Sequence, residues 1–516
     1  MLKKIRITVS IIFFSLITLY FLDFAGFLPE KMSVLTDLQF VPALLALNGT
    51  VLLILILSTL LFGRIYCSSI CPLGVYQDIA AWVSKKFTKR KRYRYSKAKT
   101  VLRLSVLGAA ILAFFAGFSF LPGLLDPYGA YGRITSHLFR PAYLAGNNLL
   151  AYVFSTFNNY RFYHISIYPL GFLSIIIALL TFLLVGFLAW KHGRTYCNTI
   201  CPVGTILGFL SKYSLFRIQF VDEKCNSCGL CTMKCKASCL DSKNKTVDYQ
   251  RCVACFNCIE ACNRDAMKYL IIGRKKRTQE ESAATPVAPK KHNAIGESRR
   301  RFLLATLAAS LAAGKLFAQK IAEPLLPKRE LKRQTPIAPP GALNFERFQK
   351  KCISCHLCVS KCPSHVIKPA FLEYGLSGMM QPKLYFDRGF CNYDCTVCCD
   401  VCPTDALMKL TKEEKHHNQM GQVNFIIENC IVYYDETSCG ACSEHCPTQA
   451  VRMVPYKDEL TIPEIEPEIC VGCGGCEYVC PAIPYKAIFV EGLTAHNTID
   501  LEHEEAEDIT IDDFGF

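Results

Sequence analysis

The chain has 516 residues, 51% of them hydrophobic, with 30 cysteines and 58 Lys and Arg against 43 Asp and Glu. It is too long for one domain, and its cysteines recur in CxxCxxCxxxC runs, which excludes the short secreted disulfide scaffold. The net charge of +15 gathers beside apolar segments, at 85–99 and 274–301, so it marks cytoplasmic loops of a membrane protein and no nucleic-acid partner is expected.

Apolar runs at 5–27, 40–62, 100–121 and 167–190 each reach the roughly 20 residues that a membrane-crossing helix needs. They predict four transmembrane helices in a membrane domain over 1–216. Lys3, Lys4 and Arg6 ahead of the first run, and the basic loop after the second, put the N-terminus and that loop on the cytoplasmic side. The second span ends in GRIYCSSICPLG at 63–74, and the fourth in GRTYCNTICPVG at 193–204. The duplication predicts two equivalent helix pairs about a pseudo-two-fold axis, with Cys67, Cys71, Cys197 and Cys201 converging as a reactive tetrad. Three roles stay open for it: ligation of a further metal centre, redox-active or quinol-reactive thiols, and structural pairing of the two halves.

Residues 217–272 form a cytoplasmic ferredoxin-like domain with two runs, Cys225, Cys228, Cys231, Cys235 and Cys252, Cys255, Cys258, Cys262. A tight CxxCxxC loop wraps three corners of a 4Fe-4S cubane, and the last cysteine of the partner run supplies the fourth. That exchange assigns Cys262 to the first cluster and Cys235 to the second. Residues 273–301 are a basic linker ending in the twin-arginine-like Ser298–Leu304, and 302–318 is a fifth membrane or signal-anchor helix or, alternatively, a helix on the membrane surface that would leave the second cysteine domain cytoplasmic. A proline-rich spacer covers 319–344.

A second cysteine-dense domain covers 345–490 and holds four runs. They are Cys352, Cys355, Cys358, Cys362; Cys391, Cys395, Cys398, Cys402; Cys430, Cys439, Cys442, Cys446; and Cys470, Cys473, Cys476, Cys480. Each precedes a proline. The middle two have stretched first gaps, so their loops must bulge. Sixteen ligands here and eight upstream make six 4Fe-4S clusters. Cys239 and Cys399 are left over as packing or spare thiols. Zinc needs no third and fourth spacing of this kind, and the CxxCH at 352–356 is absorbed by a complete cluster run, which argues against haem. An acidic tail fills 491–516.

No histidine lies inside the four spans, so a bis-histidine membrane haem is not expected. A twin-arginine signal exports folded protein, which suits a domain that gains its clusters in the cytoplasm and works in the periplasm. With the second cysteine domain outside, quinol is the economical carrier across the roughly 30 Å apolar core. Asp126, Arg133 and His164, near the outer ends of the third and fourth spans, are the candidate quinol residues. The fold class is therefore a polytopic all-α membrane domain with α+β ferredoxin-like domains on the cytoplasmic and periplasmic sides of a bacterial inner membrane.

Residues 1–270, with the paired CxxxCP motifs and the double ferredoxin run, resemble NapH-type membrane quinol dehydrogenases and, more distantly, NosR-like and CcoG-like proteins. Residues 298–490, with SRRRFLL and four runs, resemble NapG/MauM polyferredoxins. The resemblance covers nearly the whole chain as a fusion of the two. It implies oxidation of menaquinol from the membrane quinol pool, with electrons passed to a periplasmic reductase such as nitrate reductase, or to a cytochrome c. The CcoG and NosR likeness keeps open a factor that supplies electrons for metal-centre maturation.

Overall fold

The computed structural model describes residues 1–24, 26–87, 93–168, 171–271, 329–331, 333–457 and 459–500. The twin-arginine motif, the fifth apolar helix, most of the spacer and most of the acidic tail lie outside these residues. The described parts of 1–271 and of the region beyond 331 pack as one compact unit.

The helices used below are α1 (Leu2–Leu22), α2 (Gly49–Phe62), α3 (Ile65–Ser69), α4 (Pro72–Phe87), α5 (Thr100–Phe115), α6 (Pro127–Ile134), α7 (Arg140–Ser155), α8 (Phe172–His192), α9 (Thr195–Thr199) and α10 (Pro202–Ser211). Among the described residues only α1 and α8, at 21 residues each, are long and apolar enough to cross a membrane, which corrects the expectation of four. The run at 40–62 is broken at Leu47, which takes a left-handed φ of 56°, and restarts where the Asn48 side chain accepts the Val51 N–H. The 14 residues of α2 then cover only about 21 Å at 1.5 Å per residue. Likewise α5 stops at 16 residues, followed by Gly117 at φ +81°.

The glycine of each GRxYC copy has a physical task. Gly63 and Gly193 leave α2 and α8 at φ +75° and +70°, a turn that glycine makes without strain. The chain then re-enters as a short helix, α3 or α9, breaks at the second cysteine, and starts a new helix on proline at its first position. The halves interlock where α4 lies along α8: Tyr76 Oη donates to Phe182 O at 3.0 Å and Ser84 Oγ to Trp190 O at 3.0 Å.

Both cysteine-rich regions are built on two-stranded antiparallel pairs. In the first, β1 (Phe216–Phe220) pairs with β4 (Met267–Ile271), and β2 (Leu240–Asp241) with β3 (Thr246–Val247). In the second, β5 (Ile367–Pro369) pairs with β6 (Pro382–Leu384), β8 (Val451–Pro455) with β9 (Thr461–Ile465), and β7 (Asn418–Phe425) with β10 (Ile488–Thr498). The two regions meet opposite ends of α1. Lys3, at its start, pairs with Glu260 of the first. Asp23, just past its end, pairs with Lys361 of the second at 2.7 Å.

Candidate metal centres

Four of the six runs share one backbone device. The residues two and four positions after the first cysteine are left-handed: Ser227 and Gly229, Ala254 and Phe256, Ser354 and His356, Gly472 and Gly474. Alternating right- and left-handed residues turn successive N–H groups into one concavity, a nest suited to an anionic iron–sulfur group. Five runs also turn left-handed three residues after the last cysteine, at Ser238, Asp265, His365, Asp405 and Gln449. The stretched runs lack the first device. The run at Cys430 fills its extra length with a helical turn, Ile431–Tyr434, and a left-handed Glu436.

The expected exchange of the fourth cysteine has a geometric counterpart. Cys225, Cys228 and Cys231 line a cavity of about 180 Å³ together with Cys262, and Cys235 lies in electrostatic reach of Cys252, Cys255 and Cys258. The pairing within the second region, which the spacing leaves undetermined, follows the same rule. Cys391, Cys395 and Cys398 share a cavity with Cys362, while Cys402 interacts with Cys352, Cys355 and Cys358. Cys430, Cys439 and Cys442 share a cavity with Cys480, and Cys446 interacts with Cys470, Cys473 and Cys476. Among the described residues no group of three or more His, Cys, Asp or Glu is drawn tight enough for a single metal ion. Cluster thiolates sit on separate irons and are spaced more widely. Of the spare thiols, Cys399 donates to Pro340 O at 3.2 Å, whereas Cys239 lies 3.6 Å from the Cys235 sulfur.

Cys67, Cys71, Cys197 and Cys201 are all buried and interact with one another. Each motif's arginine reaches across to the other motif. Arg194 Nη1 donates to Cys67 O at 2.7 Å, and Arg64 Nη2 to Cys197 O at 3.2 Å. The glycines after CP make room for this crossing, since a Cβ at Gly74 would lie 2.7 Å from Arg194 and one at Gly204 2.9 Å from Arg64. Gln77 Nε2 approaches the Cys197 sulfur at 3.1 Å, and Gly204 N–H points at the Cys201 sulfur at 3.3 Å. Arg194 and Arg6 share Asp78 at 2.8 and 2.9 Å, with Lys236 at 3.2 Å. Burial opposes ionisation of Asp78, yet these three cations hold its carboxyl well below the usual carboxylate range.

Asp126 and Arg133 are buried against the second region, while His164 is exposed. Asp126 caps α6 by accepting the Gly129 N–H at 2.6 Å, and burial raises its carboxyl to about 6. Arg133 donates to Ile353 O and Ser354 O at 3.3 and 3.2 Å, and to Gly123 O and Leu124 O. It thus clamps the loop between Cys352 and Cys355. A histidine pair missed in the sequence reinforces this contact: His137 Nε2 lies 2.7 Å from His356 Nδ1, whose ring donates from Nε2 to Met380 O at 2.8 Å. Burial, aided by Arg133, lowers His137 to about 4, so the pair is neutral at pH 7. No sequence signal joins positions 219 apart. The crossing arginines, by contrast, stand inside the GRxYC motif itself.

A cavity of about 480 Å³ lies between the bundle and the second region. Tyr20, Asp23 and Arg140 wall it on one side, and Lys361, Cys362 and His365 on the other.

The model of a 4Fe-4S binding domain matches 45–90 and again 170–220, the stretches that carry the CxxxCP copies. A 4Fe-4S dicluster domain matches 437–483, and a further 4Fe-4S binding domain 346–368. The methylamine utilization ferredoxin-type protein MauM of Methylobacillus flagellatus is 31% identical over 166 residues, 30% of this chain and 68% of that protein. Ferredoxin-type protein NapG of Escherichia coli is 28% identical over 190 residues, 35% of this chain and 80% of NapG. NapH of the same organism is 26% identical over 232 residues, 43% and 67% of the two chains. No solved structure matches.

Proposed function

Since the chain belongs to the ferredoxin-type protein family of MauM, and is an iron–sulfur electron-transfer protein related to NapG and NapH, we propose that it is a quinol-oxidising electron conduit of the bacterial inner membrane. The observation that carries this reading is the meeting of the two cysteine-rich regions with opposite ends of α1, through Lys3–Glu260 and Asp23–Lys361. A helix of 21 residues is about 32 Å long, the thickness of the apolar core.

The six exchanged cysteine sets would hold six 4Fe-4S clusters, and the N–H nests fit such anionic groups. When bound, those clusters supply reversible one-electron storage. The chain's own residues set the route. Cys391 N–H donates to Cys473 O at 2.9 Å, which links the first pair of sets in the second region to the other pair. The outward path then runs from the sets nearest α6 to the sets at Cys470 and Cys430, where a periplasmic reductase of the nitrate-reductase kind would dock.

The 480 Å³ cavity suits a quinol head group better than Asp126, Arg133 and His164 do. Pockets for such ligands join apolar walls to a few convergent polar groups. Tyr20, Phe24, Leu28 and Leu144 supply the walls here, and Arg140 and His365 the polar groups, beside the Cys362 sulfur. Arg140 would orient a quinol oxygen, and His365 would receive a proton as electrons leave toward the Cys362 set.

Anaerobic mixing of the purified protein with a soluble menaquinol analogue tests this. Visible bleaching of the clusters is expected, slowed tenfold or more in R140A and H365A at unchanged iron content. Intact clusters that menaquinol does not reduce would refute the quinol reading.

A further inference from the structure

Arg64 is fully buried, yet among the described residues it has no carboxylate partner. Its guanidinium bonds Asn198 Oδ1 at 2.9 Å, Gln250 O at 3.0 Å and Cys197 O, and faces the Cys67 sulfur at 3.7 Å. Among the described residues its Nε has no acceptor, nor has Nη2 of Arg194. A buried cation without an anion is costly, by several kcal/mol as an order of magnitude. The groups that can carry the missing negative charge are the four thiols around it. Two helix N-termini add to the positive field, because Cys201 caps α10 and Cys71 directly precedes α4. Two crossed arginines and two helix starts enclose the tetrad, a positive setting that suits an anionic metal–thiolate group.

The tetrad also lies between the two ferredoxin regions, joined to both by short bonded steps. Toward the first, Arg64 donates to Gln250 O, two residues before Cys252, and Arg194 N donates to Lys236 O at 2.9 Å, one residue after Cys235. Toward the second, Tyr196 Oη donates to Leu125 O at 3.2 Å, next to Asp126, which caps α6. Arg133 of α6 then holds the Cys352–Cys355 loop.

We infer that Cys67, Cys71, Cys197 and Cys201 jointly hold a seventh redox centre, an iron–sulfur cluster, through which electrons pass directly between the two ferredoxin regions. The inference goes beyond the quinol reading and needs only that both regions hold clusters. Each transfer moves one electron and no atom. The group at Cys252, Cys255, Cys258 and Cys235 is oxidised by one as the tetrad's group is reduced by one, and the tetrad's group then reduces the group at Cys352, Cys355, Cys358 and Cys402. The external reductant is a soluble low-potential one-electron donor at the exposed Cys228 rim. Tunnelling falls exponentially with distance, so a centre bonded to both regions shortens each step between them. Zinc would fill four thiolates but carry no electron.

Anaerobically purified full-length protein tests this by iron and zinc content and by Mössbauer spectroscopy, beside C71S/C201S and R64Q. About 28 irons per chain and no zinc are expected, falling to about 24 in C71S/C201S and unchanged in R64Q. In quinone-free proteoliposomes, impermeant dithionite on the side of the first region should bleach every cluster of the wild type. In C71S/C201S it should bleach only the two of that region, and in R64Q transfer to the second region should slow at least tenfold. About 24 irons in the wild type, stoichiometric zinc, or equal bleaching of C71S/C201S and wild type would overturn the inference. Should C71S/C201S fail to fold, the wild-type iron count and the R64Q rate decide alone. A protein that menaquinol cannot reduce, yet passes these tests, would sink the quinol reading and leave the relay standing.

Discussion

Replacing Gly132 by alanine should open the seat of the second region on the bundle without unfolding either. Three glycines face the backbone of the Cys352–Cys355 loop: a Cβ would lie 3.1 Å from Ile353 O at Gly123, 3.0 Å at Gly129, and only 2.4 Å from Cys355 O at Gly132. Carbon does not come that close to a backbone oxygen, so α6 and the loop must part by more than half an ångström. The Phe21 ring, 3.0 Å from the same added carbon, crowds it further. Overpacking of this kind costs about 1–3 kcal/mol. Spread over the opening equilibrium, that is roughly a 5- to 150-fold gain in the open state. Hydrogen–deuterium exchange reads it directly. The amides of 353–357 should exchange faster by that factor in G132A, while those of β7 and β10 keep their wild-type rates. G146A, where nothing lies within 4 Å of the added carbon, should change neither. Unchanged exchange at 353–357, or uniform acceleration through β7 and β10, would refute the close-approach argument.

Other expectations follow from the buried charges and thiols. Asp126 titrates near 6 in the folded protein against an ordinary 3.8, so the folded form takes up a proton between those values. That margin is full at low pH and lost as pH rises through 6, about 1.4 kcal/mol between pH 5 and 7.5. Denaturant titration of wild type and D126N at the two pH values should show this difference vanish in D126N. Replacing Asp78 with asparagine leaves Arg6, Arg194 and Lys236 without their shared carboxylate, and a loss of about 3–5 kcal/mol is expected in detergent-solubilised protein, read as a lowered Tm. Serine at Cys399 keeps a donor for Pro340 O and should leave the iron content intact, whereas serine at the neighbouring Cys398 should cost one cluster, about four irons by elemental analysis.

The cysteine sets were legible because they are local. In four of the six runs three thiols fall within seven residues, the spacing of a cluster loop, and the expected fourth cysteine of each set in the first region follows from run order. In the second region four runs permit several pairings, and only packing chooses the first with the second and the third with the fourth. The duplicated GRxYC…CP motif announced a pseudo-symmetric tetrad and contained its arginines. That the arginines cross between copies depends on contacts between residues 127 and 133 positions apart, beyond the reach of spacing. Span lengths were misread because hydropathy is blind to backbone breaks such as the left-handed Leu47 and Gly117. The clamp of Arg133 on 353–354 and the His137–His356 pair were likewise invisible, since each joins segments some 220 residues apart.

Trypsin treatment of sealed membranes measures directly whether the two cysteine-rich regions face opposite sides of one bilayer. Right-side-out spheroplasts should be cut at the exposed Lys412 and Lys457 and spared at the exposed Lys224 and Lys243, and inverted vesicles should give the reverse. Cleavage of both regions from the same side would contradict this arrangement.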